Sequence, residues 1–164
     1  MKKLVLIRHA KSLRDGTVSR DIDRPLNERG LRDAPFMAAR FADTVGKEMT
    51  LCVSSPAKRA ADTAGYFVRA LGGRIELRTE PAIYEAPLSE LIRVVEQLPE
   101  SHSGVVMFGH NPGFSMLVEY LSGEWVDMAT CAIAVLEMHV QEWKMIGRGT
   151  ATLVGFDYPK KHLV

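Results

Sequence analysis

Several things are scarce in this 164-residue chain. There are only two cysteines, Cys52 and Cys131. Both lie in apolar segments without metal-type spacing, so they read as buried free thiols rather than a disulfide framework or a metal site. Charge of one sign is missing: 21 basic and 20 acidic side chains leave a formal charge of +1, which argues against a dedicated nucleic-acid binder. The small basic cluster Lys160-Lys161-His162 reads as a solvated tail. No run approaches the roughly 18 apolar residues of a membrane span. Met1-Lys2-Lys3 before Leu4-Val5-Leu6-Ile7 has the outline of a signal peptide, but the apolar part is too short and Arg8 interrupts it. These absences point to the cytoplasm, with no membrane partner. No Gly-x-Gly-x-x-Gly follows a strand, and the Gly104…Gly109 spacing leads into His110-Asn111 rather than Lys and Ser/Thr, which removes both common nucleotide loops. No histidine–carboxylate spacing suggests a metal site, so neither metal nor cofactor is expected. The eight methionines are scattered over core positions and read as gap fillers.

What is present is 46% hydrophobic and 25% charged, the balance of an ordinary globular protein, and residues 1–164 suit one domain with one core. Apolar runs alternate with helix-like segments, which predicts α/β architecture with a parallel sheet. The first strand runs from Lys3 to Arg8, followed by a long patternless connection through Leu26. Asn27 can cap a helix with Leu31, Ala34, Ala38, Phe41 and Val45 inward. Pro35 within it should kink the helix or mark where its regular part begins. Leu51 to Ser54 is the second strand. Ser55 then caps, Pro56 takes the first helical position, and Ala60, Ala64, Phe67, Val68 and Leu71 form the stripe ended by Gly72-Gly73. Ile75 to Arg78 is the third strand. Ser89 caps a helix with Leu91, Ile92, Val94, Val95 and Leu98 inward. Val105 to Phe108 is a central strand, and Asn111-Pro112 open a helix that ends at a left-handed Gly123. Cys131 to Met138 and Thr150 to Phe156 read as β structure with at least one antiparallel pairing, and Trp143 to Ile146 as a short strand between them.

The chemistry gathers where strands end. The first strand stops at Arg8-His9, the second leads through Ser54-Ser55-Pro56 to Arg59, and the fourth stops at His110. α/β proteins place ligands at that carboxyl edge. Lys58 and Arg59 fall in a helix's first turn, where cations oppose the helix dipole; a bound anion explains them, and so does an exposed basic turn. The amides of Gly113 and Phe114 could face an anion beside His110. His9 has the chemistry of a nucleophile, because a neutral imidazole can attack phosphorus and hold the phosphoryl group covalently. It requires its second nitrogen to donate to an acceptor such as a carbonyl, and fixed cations around the phosphoryl oxygens. Arg8, Arg59 and a protonated His110 can supply those cations, since guanidinium binds phosphate through paired hydrogen bonds. Glu85 stands after the third strand, either as a proton donor or as an exposed loop glutamate. Arg14 and Arg20, in the long loop, could touch phosphate or a partner but read first as solvated surface, and His102 and His139 read as exposed or structural.

Four motifs then meet a family. Arg8-His9-Ala10-Lys11-Ser12 opens the chain. Asp23-Arg24-Pro25-Leu26-Asn27-Glu28-Arg29-Gly30 follows, running on into Arg32-Asp33-Ala34-Pro35. Ser54-Ser55-Pro56-Ala57-Lys58-Arg59-Ala60 and Gly109-His110-Asn111-Pro112-Gly113 complete the set. In this order they resemble the histidine phosphatase superfamily, specifically its small phosphohistidine phosphatase branch. The resemblance implies a mostly parallel six-stranded sheet flanked by helices on both faces, with no large cap domain. It also implies a nucleophilic His9, phosphate-binding Arg8 and Arg59, and an assisting His110. The broader motif has glycine where this chain has Ala10, which favours the phosphohistidine branch over the mutases.

The expectation is a metal-independent phosphatase that works through a phospho-His9 intermediate on phosphohistidine of a signalling protein and releases inorganic phosphate. An imidazole leaves more easily than an alkoxide, so that reaction makes little demand on Glu85. The alternatives are a phosphomonoesterase of small phosphate esters with the same site, and an inactive phosphoprotein-binding module.

Overall fold

The structure is a computed structural model that describes residues 1–162. Six strands form one sheet in the order β3-β2-β4-β1-β5-β6: β1 Lys3–Arg8, β2 Leu51–Ser54, β3 Glu76–Thr79, β4 Gly104–Gly109, β5 Ile133–Met138 and β6 Ala151–Asp157. β1, β2, β3 and β4 are mutually parallel. β5 runs antiparallel to β1, and β6 antiparallel to β5 with a register shift at Val135/Leu136. The mostly parallel α/β sheet and the antiparallel edge pairing both follow the expectation, and among the described residues there is no large cap domain.

Alternation along the strands divides the core between two faces. Leu4, Leu6, Val53, Val105 and Met107 pack under α3 (Leu88–Glu96) and α4 (Gly113–Ser122). Val5, Ile7, Cys52, Val106 and Phe108 pack under α1 (Glu28–Ala42) and α2 (Lys58–Ala70). The central strands are buried on both faces, which is why their sequences are continuous apolar runs. Both thiols are buried and free. No helix among the described residues is long and apolar enough to cross a membrane.

Several local expectations give way to tertiary context. Asn27 caps α1 as expected, its side chain accepting from the Gly30 amide. Pro35 sits inside this continuous helix rather than at its start. It faces solvent, so water can satisfy the Leu31 carbonyl it leaves unpaired. Leu31 is half exposed, Val45 lies in the 3-10 turn Val45–Glu48, and Met37 takes the inward place. α2 begins at Lys58, with Ala57 rather than Ser55 at its cap; the Ser55 hydroxyl instead accepts from the Ala57 amide. Ser89 is inside α3, and Pro87 is its cap residue. Trp143–Met145 is a 3-10 turn, not a strand. Its indole is fully buried, donates to the His102 carbonyl and lies under the Lys2 ammonium, so a tertiary anchor outweighs β propensity there. Gly123 ends α4 with φ 79°, as its position predicts.

Candidate active site

Parallel pairing brings three strand ends to one edge. Arg8 lies opposite Gly109, and Ser54 opposite Phe108. The His9 amide donates to Gly109 O and the Ser55 amide to Phe108 O, so the chain past each strand stays in register. His9 and His110 therefore meet, their ring centroids 5.3 Å apart. With Arg8, Arg59 and Glu85 they line a cleft of about 400 Å³. The structure thus brings together all five residues that the sequence singles out. A second cleft of about 380 Å³ between α1 and the β5–β6 hairpin, lined by Phe41, Val45, Ile133 and Val154, lies away from these groups.

His9 is 5% exposed, and its Nδ1 lies 2.8 Å from the Ala10 carbonyl. A carbonyl only accepts, so Nδ1 carries the proton and Nε2 keeps its lone pair. Burial, reinforced by His110, Arg59 and Arg8 nearby, holds the His9 pKa down at about 3, so the ring is neutral near pH 7. This is the state a nucleophilic imidazole needs.

His110 hangs from the opposite nitrogen. Its Nε2 lies 2.8 Å from the Ser55 hydroxyl, and its buried Nδ1 has no hydrogen-bond partner. Burial and Arg59 push its pKa down to about 4. Without an anion beside it the ring is therefore held neutral; the protonated His110 expected from sequence concerns a ring beside a phosphoryl group. The helix beyond also differs from expectation, because the Phe114 amide is taken by His110 O. Pro112 is the cap residue of α4, and the preceding Asn111 side chain accepts from the Ser115 amide in its first turn and donates to Met128 O.

The two cations of α2's first turn have separate environments. Lys58 is exposed and pairs with Asp62 one turn on. Arg59 is 1% exposed and reaches into the cleft. Its Nη1 donates to Asp21 O, and its Nη2 to Asp21 Oδ2 and Glu85 Oε1. Arg8 Nη1 donates to Met128 O. The Nε atoms of both arginines are buried without an acceptor. Together with His110 Nδ1, these are three unsatisfied buried nitrogens on residues of one cleft, an arrangement that a bound oxyanion can relieve.

Glu85 is no bystander in a distant loop. Its backbone has φ 48°, unusual for a non-glycine residue. Its Oε1 lies 2.9 Å from Arg59 Nη2 and 3.6 Å from His110 Nδ1.

Sequence reasoning missed Asp21 and Tyr84. The connection after β1 folds back on itself: Ser12 bridges Leu26, and the Leu13 amide donates to Pro25 O. Its 3-10 turn Asp21–Asp23 then lies over Arg59. Asp21 accepts from Tyr84, Arg24 and Arg59, and the Tyr84 hydroxyl together with those cations drives its pKa well below the usual carboxylate range. Tyr84 stands edge-on to His110. Arg14 is exposed, as expected, and also lines the cleft. The only signal for Asp21 was its nearness to the Asp23-Arg24-Pro25 motif. Arg20 pairs with Asp23 at the surface, and His102 and His139 bond Thr50 and Thr152 away from the cleft, as expected of exposed or structural residues. The Lys160–His162 tail is partly tied down, with Lys161 donating to Phe156 O and His162 bonding Asp157.

Comparison with known proteins bears on the family and the fold. The sequence signature of the histidine phosphatase superfamily (branch 1) matches residues 4–91. The uncharacterized protein Rv1276c of Mycobacterium tuberculosis is 30% identical over 94% of this chain and 100% of its own length. Among solved structures, a candidate phosphohistidine phosphatase SixA from Agrobacterium tumefaciens is 27% identical. It superposes with TM-score 0.82, covering 96% of this chain and 98% of that one. The protein histidine phosphatase SixA complexed with tungstate shares the fold at TM-score 0.80 and 21% identity, over 97% of this chain and 98% of that one.

Proposed function

The chain belongs to branch 1 of the histidine phosphatase superfamily, and on that footing we propose that it dephosphorylates phosphohistidine on a protein through a covalent phospho-His9 intermediate. The observation that carries this reading is the state of His9: buried, neutral and donating from Nδ1 to Ala10 O, so that Nε2 is free to attack. Nε2 forms a bond to phosphorus as the bond from phosphorus to the substrate's imidazole nitrogen breaks. The departing imidazole then takes up a proton. Arg8 and Arg59 hold the phosphoryl oxygens. A dianion 's charge raises the His110 pKa, so its ring gains a proton as substrate enters and neutralises charge in the transition state. Water then attacks phosphorus, the bond to His9 breaks, and inorganic phosphate leaves. No step calls on a metal or cofactor. The likeness to the Agrobacterium protein supports the choice of substrate.

One observation favours a second reading. Glu85 lies within the site, in contact with Arg59, where a carboxylic acid could protonate an alkoxide leaving group. That favours a phosphomonoesterase of small esters.

Two measurements decide. Radiolabelled substrate should leave acid-labile phosphate on the wild type and none on His9→Ala; if no substrate labels the protein, a phosphoprotein-binding module is the better account. In competition, phosphohistidine protein should be consumed ahead of p-nitrophenyl phosphate and sugar phosphates. The reverse order overturns the substrate assignment, and Glu85→Gln should then abolish ester hydrolysis while sparing phosphohistidine.

A further inference from the structure

We propose that Thr63 is a positioning residue for phosphoryl transfer, its buried hydroxyl fixing the Ala10 segment against which the His9 ring is oriented. The inference rests on the reading of His9 as the nucleophile. Thr63 stands one helical turn after Arg59 in α2 and is completely buried. Its Oγ1 donates to the Arg59 carbonyl at 2.7 Å and accepts from the Ala10 amide at 3.0 Å. Ala10, also fully buried, in turn offers its carbonyl to His9 Nδ1.

The direction of each bond is forced. A hydroxyl has one hydrogen, and the Arg59 carbonyl can only accept it. Lone pairs alone remain for Ala10, which suits an amide that can only donate. A β-branched side chain in a helix has few rotamers, so the oxygen is held where it is needed. Back-bonding of threonine to its own helix is common and by itself says nothing. The second bond is different, because it spans 53 positions and ends on the residue that sets the tautomer of His9. Among the described residues no other group accepts from the Ala10 amide. One helix thus carries the arginine that meets the phosphoryl oxygens and the hydroxyl that holds the nucleophile's acceptor, which fixes the two relative to each other.

The test uses the full chain with Thr63→Val, which removes the oxygen and nearly preserves shape, and Thr63→Ser, which keeps the oxygen. The readout is the ¹⁵N spectrum of the His9 ring, beside kcat and the inhibition constant of inorganic phosphate. The wild type and Thr63→Ser should show a single Nδ1–H tautomer and similar kcat. Thr63→Val should show mixed tautomers and a kcat lowered about tenfold to hundredfold, the size of effect that a misplaced histidine tautomer allows. Phosphate inhibition should stay within about twofold, since ground-state anion binding does not require the tautomer. A purely packing role would lower the thermal midpoint of Thr63→Val and leave the tautomer alone, which overturns the proposal. Should Thr63→Val not fold, the other two proteins still decide: a wild type lacking the Nδ1–H tautomer, or a Thr63→Ser that loses it, refutes the idea. The ring spectrum needs no turnover. A wrong phosphatase reading would therefore appear separately, as absent turnover with the tautomer effect intact.

Discussion

His9 and His110 face each other across the cleft with rings tilted at 54°, yet each is tethered through a different nitrogen, His9 by Nδ1 to a carbonyl and His110 by Nε2 to a hydroxyl. The pair is therefore not interchangeable. His9 is left with a basic nitrogen, whereas His110 is left with a buried Nδ1 lying 3.6 Å from Glu85.

Both rings are held neutral, so stability should depend on acid. Their folded pKa values, about 3 and about 4, lie below the unfolded value near 6.5. The unfolded chain then binds protons that the native state refuses. The contribution is complete above pH 6.5 and is lost as pH falls toward the folded values. Urea unfolding should show stability dropping by up to about 1.4 kcal/mol per pH unit for each histidine between roughly pH 6 and pH 4. His9→Gln and His110→Gln should each flatten that slope. An unchanged slope in both would mean that neither ring is buried in the neutral form.

Anion binding should carry a proton with it. Inorganic phosphate or tungstate placed among Arg8, Arg59 and His110 raises the His110 pKa. Calorimetry at pH 6 in buffers of different ionisation enthalpy should report proton uptake in the wild type and much less in His110→Asn. Equal uptake in both proteins would assign the proton elsewhere.

The neighbouring cations Lys58 and Arg59 should differ sharply. Arg59→Lys loses the planar fork that meets Asp21 and Glu85, and phosphate inhibition should weaken by about tenfold to hundredfold, equivalent to one or two charge-assisted hydrogen bonds. Lys58→Ala removes only an exposed pair with Asp62, so stability should move by less than about 1 kcal/mol with kcat/KM unchanged. Similar losses from the two variants would contradict the placement of Arg59.

Asp21 and Tyr84 should be coupled. A double-mutant cycle of Asp21→Asn and Tyr84→Phe should give an interaction energy of about 1 kcal/mol, together with faster amide exchange over residues 19–24 in Asp21→Asn. Strict additivity with unchanged exchange would show that this bond does not hold the turn.

How much of this could be read from sequence depends on where the determining forces lie. The central strands were legible because burial on both faces requires uninterrupted apolar residues. Arg8, His9, Arg59 and His110 were legible because parallel strands share a carboxyl edge. Helix starts were less so: Ser55 and Ser89 have capping chemistry, but the chain uses Ala57 and Pro87 at those positions, and Ser55 serves Ala57 and His110 instead. Trp143 reads locally as a strand residue, and only the distant His102 carbonyl and Lys2 make it an anchor. Asp21 was illegible because its partners Arg59 and Tyr84 lie 38 and 63 positions away.

The neck joining Lys11-Ser12 to Leu26-Asn27 is closed by the Ser12–Leu26 bridge, by the Leu13 amide on Pro25 O and by Arg24, which donates to the Ser12 hydroxyl and Leu13 O, and Gly30 lets α1 press against it where a methyl group would come within 2.1 Å of Lys11 O. The intervening stretch is thus mounted on a firm collar and rests, through Asp21, on Arg59 and Tyr84. Lengthening a surface loop costs little entropy, so the exposed tip before Asp21 can drift in size while the contacts of Asp21 are kept. Evolution, or an engineer, can therefore widen or narrow the mouth of the cleft by changing that tip alone.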